Sequence, residues 1–162
     1  SGCSYCPHSW HRWVFLVPCH SNSRSGGMTP LSPDADSAPF WDATRSGRFV
    51  IQRCAACSTY QHYPRVLCTT CSATDLTFVE VSGRGSIYSF TVVHRSPNPK
   101  LFPVPYVVAL IKLEEGPLLM SNIVSADPTS IECDQPVELE WKDRSDGFRL
   151  PMFRPAAISH PT

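Results

Sequence analysis

Charge of one sign is missing from this sequence of 162 residues: 14 Lys and Arg stand against 14 Asp and Glu, a formal net charge of zero. A balanced chain offers no electrostatic footprint for a polyphosphate, which argues against nucleic acid as a partner. Long apolar runs are missing too. The run Trp13–Val17 falls short of the roughly 7–15 apolar residues of a signal peptide and far short of a membrane span. No export signal and no membrane partner are therefore expected, and a cytoplasmic setting follows. Glycine is sparse at 8 residues while proline reaches 16, a balance that favours loops and strands because proline interrupts helices and central strands alike. Catalytic signatures of the Ser-x-x-Lys, Gly-x-Ser-x-Gly or His-Glu-x-x-His kind are absent. No catalytic residue is assigned on these grounds.

The first 27 residues differ from the rest. They hold Cys3, Cys6, Cys19, His8, His11 and His20 but no acidic residue, and they follow neither a helical nor a strand period. Met28 then opens a polar lead into a first element. Residues 1–27 are accordingly expected to be a non-native or misassigned leader, left out of fold reasoning. Without turn chemistry or an apolar scaffold, the leader's cysteines and histidines are not expected to bind a second metal. From Met28 onward the acids still number 14 while Lys plus Arg drops to 12, because Arg12 and Arg24 lie upstream.

The stretch 28–48 runs through "APFWDATRSGRF" (38–49) up to its last residue, and this segment predicts a short helix. Asp36 and Ser37 are available as caps, Pro39 suits the first turn, Gly47 suits the exit, and Phe40 and Trp41 would pack on the elements beyond it. A short strand "FVIQR" (49–53) leads into the cysteines. From Leu76 the pattern is one of strands: 76–81, 86–95, 106–114, 118–126, 136–141 and 148–153, separated by turn residues. No stretch there has a useful helical repeat. Short strands at this spacing predict an antiparallel barrel or sandwich. The tail 156–162 reads as a flexible terminus.

Between them lies "CAACSTYQHYPRVLCTTC" (54–71), two Cys-x-x-Cys pairs with 10 residues between. Each pair suits a tight knuckle that turns both sulfurs to one side. Two facing knuckles complete a tetrahedron around Zn²⁺. A redox dithiol needs one pair, not two, and two disulfides suit a secreted chain. Cys54, Cys57, Cys68 and Cys71 are therefore assigned as the ligands of a structural zinc, closed because four thiolates leave no position for water. His62 is not needed as a ligand. Tyr60, Tyr63 and Val66 are expected to cover the site. Cys133 stands alone and is read as a small, partly buried side chain.

Taken in order, "PFWDATRSGRF", "IQRCAACSTYQHYPRVLCTTC", "SGRGSIYSFTVVHR", "PYVVALIKLEEGPLLMSNIV" and "PVELEWKDRSDGFRLPMFRP" resemble the OB-fold proteins with a rubredoxin-like zinc ribbon. That family was once catalogued as a domain of unknown function and is now described as acyl-CoA-associated. The resemblance covers about residues 38–155 and departs locally at "ECDQPVE", where a glycine is usual before the strand. It implies a mainly β fold: a short N-terminal helix, a zinc ribbon over 49–82, and a five-stranded antiparallel OB-fold barrel over 83–155. It also implies a partner, a thiolase-like or lipid-transfer-protein-like enzyme subunit that carries out aldol cleavage, condensation or acyl transfer in lipid or steroid metabolism. The zinc-ribbon chain would be its accessory scaffold, with acyl-CoA as a further ligand.

Two places bear on that partner. Along "SIYSFTVVHR", Tyr88, Phe90 and Val92 are expected on one face, with His94 continuing it and Arg95 following. His94 and Arg95 are either a strand-end pair bonded to the next loop or, with Lys100, a contact for acyl-CoA phosphates, which arginine suits through its paired donors. The loop "SPNPKLFPVPY" (96–106) has four prolines, which lower the cost of ordering it on docking. Leu101 and Phe102 at its tip either seat the partner or fold over the barrel end. The competing class is a nucleic-acid-binding module, since zinc ribbons and OB barrels often serve as such. It would need a clustered basic groove that Lys and Arg do not form here. "GRG" (83–85) is too short to cradle phosphate and is read as a bend into a barrel strand.

Overall fold

The computed structural model describes residues 31–99 and 102–157. The leader 1–27, with its cysteines and histidines, lies outside them, as do Lys100 and Leu101. Helix α1 (Ala38–Arg45) leads into a three-stranded sheet of β1 (Val50–Cys54), β2 (Tyr60–Gln61) and β3 (Leu76–Glu80). The barrel follows: β4 (Arg84–Val93), β5 (Tyr106–Leu113), β6 (Leu118–Ile123), β7 (Pro136–Asp143) and β8 (Arg149–Pro155). The small sheet runs β2-β1-β3, and the barrel closes in the order β4-β5-β6-β8-β7.

α1 begins as the sequence predicts, but its cap differs. Ser37 stands at the N-cap without a side-chain cap bond; the Asp34 carboxylate instead accepts from the Ser37 backbone N–H at 2.8 Å and from its hydroxyl. The helix stops at Arg45, short of Phe49, because Gly47 turns the backbone into the left-handed region (φ 72°) and donates to the Thr44 carbonyl.

β4 carries a second difference. Its register with β5 shifts between Ile87 and Ser89, a bulge that inserts one residue and exchanges the faces of the strand. Ile87 is fully buried, Phe90 and Val92 pack against the core, and Tyr88 is exposed. Strict alternation placed Tyr88 with Phe90 and Val92. The extra residue is the reason that it does not hold. Gly83 (φ 69°) and Gly85 do form the bend into this strand: a Cβ on Gly85 would collide with the Lys112 carbonyl.

Barrel and small sheet share one core. Phe40 of α1, Phe49 before β1 and Phe153 of β8 are all buried. Their rings meet edge-on, with Phe49 6.3 Å from both Phe40 and Phe153. Such aromatics each bury a large area, so this chain of rings is the main weld between the two parts. Around the linker, the Glu115 carboxylate accepts from the Ser82 N–H at 2.9 Å and Glu114 pairs with Arg84. These turn carboxylates tie the hairpin to the segment that joins the two parts.

The barrel is antiparallel except at its closure, where β6 meets β8 through one parallel bridge, Ile123 to Phe153. Pro151 explains why the contact is short. It has no N–H to donate across the seam, and the Ser121 hydroxyl donates to its carbonyl instead, at 2.6 Å.

Candidate metal centre and adjoining cavity

The two Cys-x-x-Cys segments fold as near-copies. In each, the first cysteine's carbonyl accepts from the serine four residues on (Ser58 to Cys54, Ser72 to Cys68). Those two serines take left-handed backbone angles, φ 61° and 60°. The first cysteine's own N–H donates to the carbonyl of Thr59 in one knuckle and of Ala73 in the other. β1 and β3 pair along their whole length, from Val50–Glu80 to Cys54–Leu76. That ladder holds the first knuckle beside the second.

The four Sγ atoms lie within 4.8 Å of one another. Cys54–Cys71 and Cys57–Cys68 approach to 3.6 Å. A disulfide needs about 2.05 Å, whereas a tetrahedron with Zn–S bonds of about 2.3 Å has edges of about 3.8 Å. The donor set and spacing fit tetrahedral zinc. The thiols also compete for ionisation. The Thr59 hydroxyl, 3.3 Å away, and its backbone N–H lower the Cys57 thiol to about 6. Backbone N–H groups of Cys71 and Thr70 lower Cys68. For Cys71, the lowering by the Ala73 N–H is outweighed by Cys57, by burial, and by Cys54 and Cys68, which push it up to about 12. Four thiolates this close need a compensating cation, which a divalent metal supplies on binding.

Tyr63 and Val66 do not cover this centre; both are exposed. The loop between the knuckles is pinned by two buried glutamines. Gln52 and Gln61 face each other across β1 and β2, and the Gln61 amide donates to the Gln52 carbonyl oxygen at 2.9 Å. Gln52 also accepts from the Arg65 N–H and donates to the Arg65 carbonyl. Gln61 accepts from the Thr69 N–H, one residue past a ligand. Sequence reasoning missed this pair. Its signal was two amide side chains at strand positions, each preceded by a largely apolar residue, Ile51 or Tyr60.

His62 is no ligand. Its ring packs 5.3 Å from Phe40 and 4.4 Å from Tyr63, its Nδ1 is buried without a partner, and burial lowers its pKa to about 4. It lines a cavity of about 390 Å³ between α1, the loop 62–64, β6 and β8.

His94 and Arg95 lie just beyond β4 and are exposed. Phe102 is half-exposed, its ring 6.3 Å from Tyr106. It lines a second hollow of about 270 Å³ to which neither His94 nor Arg95 contributes, so the structure does not gather them into one site. Cys133 is exposed rather than partly buried. It follows the turn of Pro128–Ser130 at the surface. The outer face of β4–β6 has no charged row at its centre: Ser89 aligns with Leu110 and Met120, and Thr91 with Val108 and Asn122. Tyr88 and Met120 stand 59% and 58% exposed on this face. Among the described residues, no helix is long and apolar enough to cross a membrane.

Residues 41–77 match the family model described as "ChsH2, rubredoxin-like zinc ribbon domain", and residues 78–142 that described as "ChsH2, C-terminal OB-fold domain". A "DUF35 domain-containing scaffold protein" of Methanocaldococcus jannaschii is 33% identical over 100 residues, 59% of this chain and 71% of that one. The chain belongs to the DUF35 family. A solved DUF35 neighbour, from the "Ltp2-ChsH2(DUF35) aldolase", superimposes with a TM-score of 0.73 at 42% identity, covering 79% of this chain and all of that one. A "Probable enoyl-CoA hydratase alpha subunit" of Thermomonospora curvata is 45% identical over 121 residues. This DUF35 chain matches 38% of that subunit's length, through 75% of its own.

Proposed function

We propose that the chain is a non-catalytic accessory subunit of an acyl-CoA enzyme. It scaffolds a thiolase-like or lipid-transfer-protein-like partner that performs aldol cleavage, condensation or acyl transfer. The observation that carries this is the outer face of β4–β6. In β5 every inward residue (Val107, Ala109, Ile111, Leu113) is buried, and outward Val108 and Leu110 are apolar as well. A strand that is apolar on both faces is the pattern of one covered on both faces. Exposed Tyr88 and Met120 extend the patch, and contiguous apolar surface of this kind marks an interface. The relatives support the reading, since their names describe hydratase subunits, scaffolds and an aldolase complex. The competing nucleic-acid reading would want lysine and arginine where Ser89, Leu110 and Met120 stand.

His94, Arg95, Lys100, Leu101 and Phe102, beyond the end of β4, are proposed as the rim that meets the partner or its acyl-CoA, with Arg95 suited to phosphate. The test is co-expression with a candidate acyl-CoA enzyme of the thiolase-like or lipid-transfer-protein-like kind from the same organism. Tyr88→Glu with Leu110→Glu is expected to abolish co-purification while leaving zinc content unchanged. Recovery of the complex at wild-type yield would remove the docking face from the account.

A further inference from the structure

β6 is an open edge for most of its length. On one side it pairs with β5 from Leu118 to Ile123; on the other its only bridge, among the described residues, joins Ile123 to Phe153. The pairing fixes which residues face the open side. Leu113 donates its N–H to the Pro117 carbonyl. In an antiparallel ladder every second residue follows suit, so Leu119, Ser121 and Ile123 turn their backbone groups to β5. Leu118, Met120 and Asn122 turn theirs the other way, and Val124, next in that series, donates to the Phe153 carbonyl. Nearer the start of β6 the facing strand has little to offer: Pro151 has no N–H, and its carbonyl is taken by the Ser121 hydroxyl. The backbone groups of Leu118 and Met120 therefore meet no strand.

Such edges are ordinarily blunted by lysine, by proline within the strand or by an inward charge. The sequence of β6, LLMSNI, has none of these, and Leu118 and Met120 are both exposed. The open side borders the cavity of about 390 Å³, which three distant parts of the chain build: α1 with its lead, the loop 62–64, and β6 with β8. Phe40, Trp41, Leu119 and Met152 make its walls largely apolar. Neither lysine nor arginine is among the described residues that line it, and Asp34 is their one carboxylate. Asp34 is exposed, and its bonds from Ser37 keep it charged.

We propose that the open edge of β6 binds an extended segment of a partner protein by strand addition, with small apolar side chains turned into the cavity and a lysine or arginine near one end facing Asp34. A row of unpaired main-chain donors and acceptors is matched by an extended backbone, and the alternate side chains beside it supply specificity. A strand antiparallel to β6 is antiparallel to β8 as well, since those two run parallel, and so continues the pattern of the barrel. The proposal goes beyond the subunit reading and does not rest on it.

The test is amide hydrogen exchange, read residue by residue by NMR on the whole zinc-loaded chain. In the free chain the Leu118 and Met120 amides should exchange about tenfold or more faster than those of Leu119 and Ser121. The probe is the peptide acetyl-Lys-Thr-Val-Thr-Val-Thr-amide. At saturation it should bind one-to-one and slow Met120 exchange about tenfold or more. Two isomers of the probe, N-methylated at alternate residues in the one phase or the other, separate backbone pairing from apolar contact. One should bind about tenfold or more weaker, the other should not. Glutamate in place of the probe's lysine should weaken binding about two- to fivefold. Met120→Pro removes an edge donor but no ladder bond to β5, and should weaken binding about tenfold or more at unchanged zinc content. If that variant does not fold, the two N-methylated isomers still decide. Slow exchange of both edge amides in the free chain, no saturable binding of the probe, equal binding of the two isomers or of the glutamate probe, or wild-type affinity in folded Met120→Pro overturns the proposal. So does edge protection that grows with the concentration of the chain alone, which would seat a second copy there instead.

Discussion

The lobe of residues 50–80 and the barrel of residues 84–155 reach order by different routes. The barrel has an apolar interior of its own, with Ile87, Ala109, Ile111, Leu113, Val137 and Phe153 at 2% exposure or less. The lobe has Ile51 and, for the rest, sulfur and amide groups: Cys54, Cys68, Gln52 and Gln61 are its other buried residues beside Val50. So small a sheet cannot hold itself together by apolar burial, and a metal supplies what a core would. The aromatic contact of Phe40, Phe49 and Phe153 joins them. Hydrophobic burial therefore stabilises one part and coordination the other.

That contrast breaks most visibly when the metal is taken away. Chelation, or Cys54→Ser, should unfold the lobe, since zinc contributes on the order of 10 kcal/mol or more to ribbons of this kind. Hydrogen exchange is expected to accelerate through residues 50–80 while β5 and β6 stay protected. Protection unchanged across 50–80 in demonstrably metal-free protein would show that the lobe does not depend on coordination.

Next in size is the weld. Phe49→Ala should cost about 3–5 kcal/mol and split one unfolding transition into two, followed by circular dichroism together with zinc release. A single, merely shifted transition would mean that the two parts are coupled elsewhere. Gln61→Leu tests the loop between the knuckles at a smaller scale. Its buried partners lose their bonds at a cost of about 1–3 kcal/mol, with zinc release by a competing chelator expected to quicken. Unaltered release kinetics would count against the pinning role.

Acidification sharpens the comparison through two groups. His62 has its folded pKa lowered to about 4 by burial, against about 6.5 in the unfolded chain. The unfolded state therefore binds more protons between those values, and stability falls as pH drops from about 6.5 to about 4, by at most about 3 kcal/mol. His62→Phe should remove that slope in equilibrium unfolding. In the barrel, the Arg144 guanidinium, 2.8 Å away, holds the Asp146 carboxyl well below the usual range. Its contribution is fully present above about pH 4 and is lost only at more acid pH. The smallest expected effect is Cys133→Ser: at an exposed thiol it should shift stability by no more than about 0.5 kcal/mol.

Legibility in the sequence divides along the same line. The ligands were legible because thiolate coordination needs fixed residue types at fixed spacing. The strands were legible because turn residues punctuate them. Less of the surroundings could be read. Tyr63 and Val66 looked like a cover for the metal, yet loop residues have no period by which to infer a direction. The β4 bulge undid an alternation argument because one inserted residue reverses every side chain beyond it.

By itself the sequence determined the four-sulfur clamp, the helix that precedes it and the succession of short strands that follows, because each rests on short-range chemistry: ligand spacing, turn residues and alternation. Only the tertiary structure decided that Gln52 and Gln61 pin the loop, that β6 and β8 part at Pro151, and that His62 ends beside a cavity built from three distant segments. Those features depend on which surfaces meet after the chain has folded, and no local pattern encodes such a meeting.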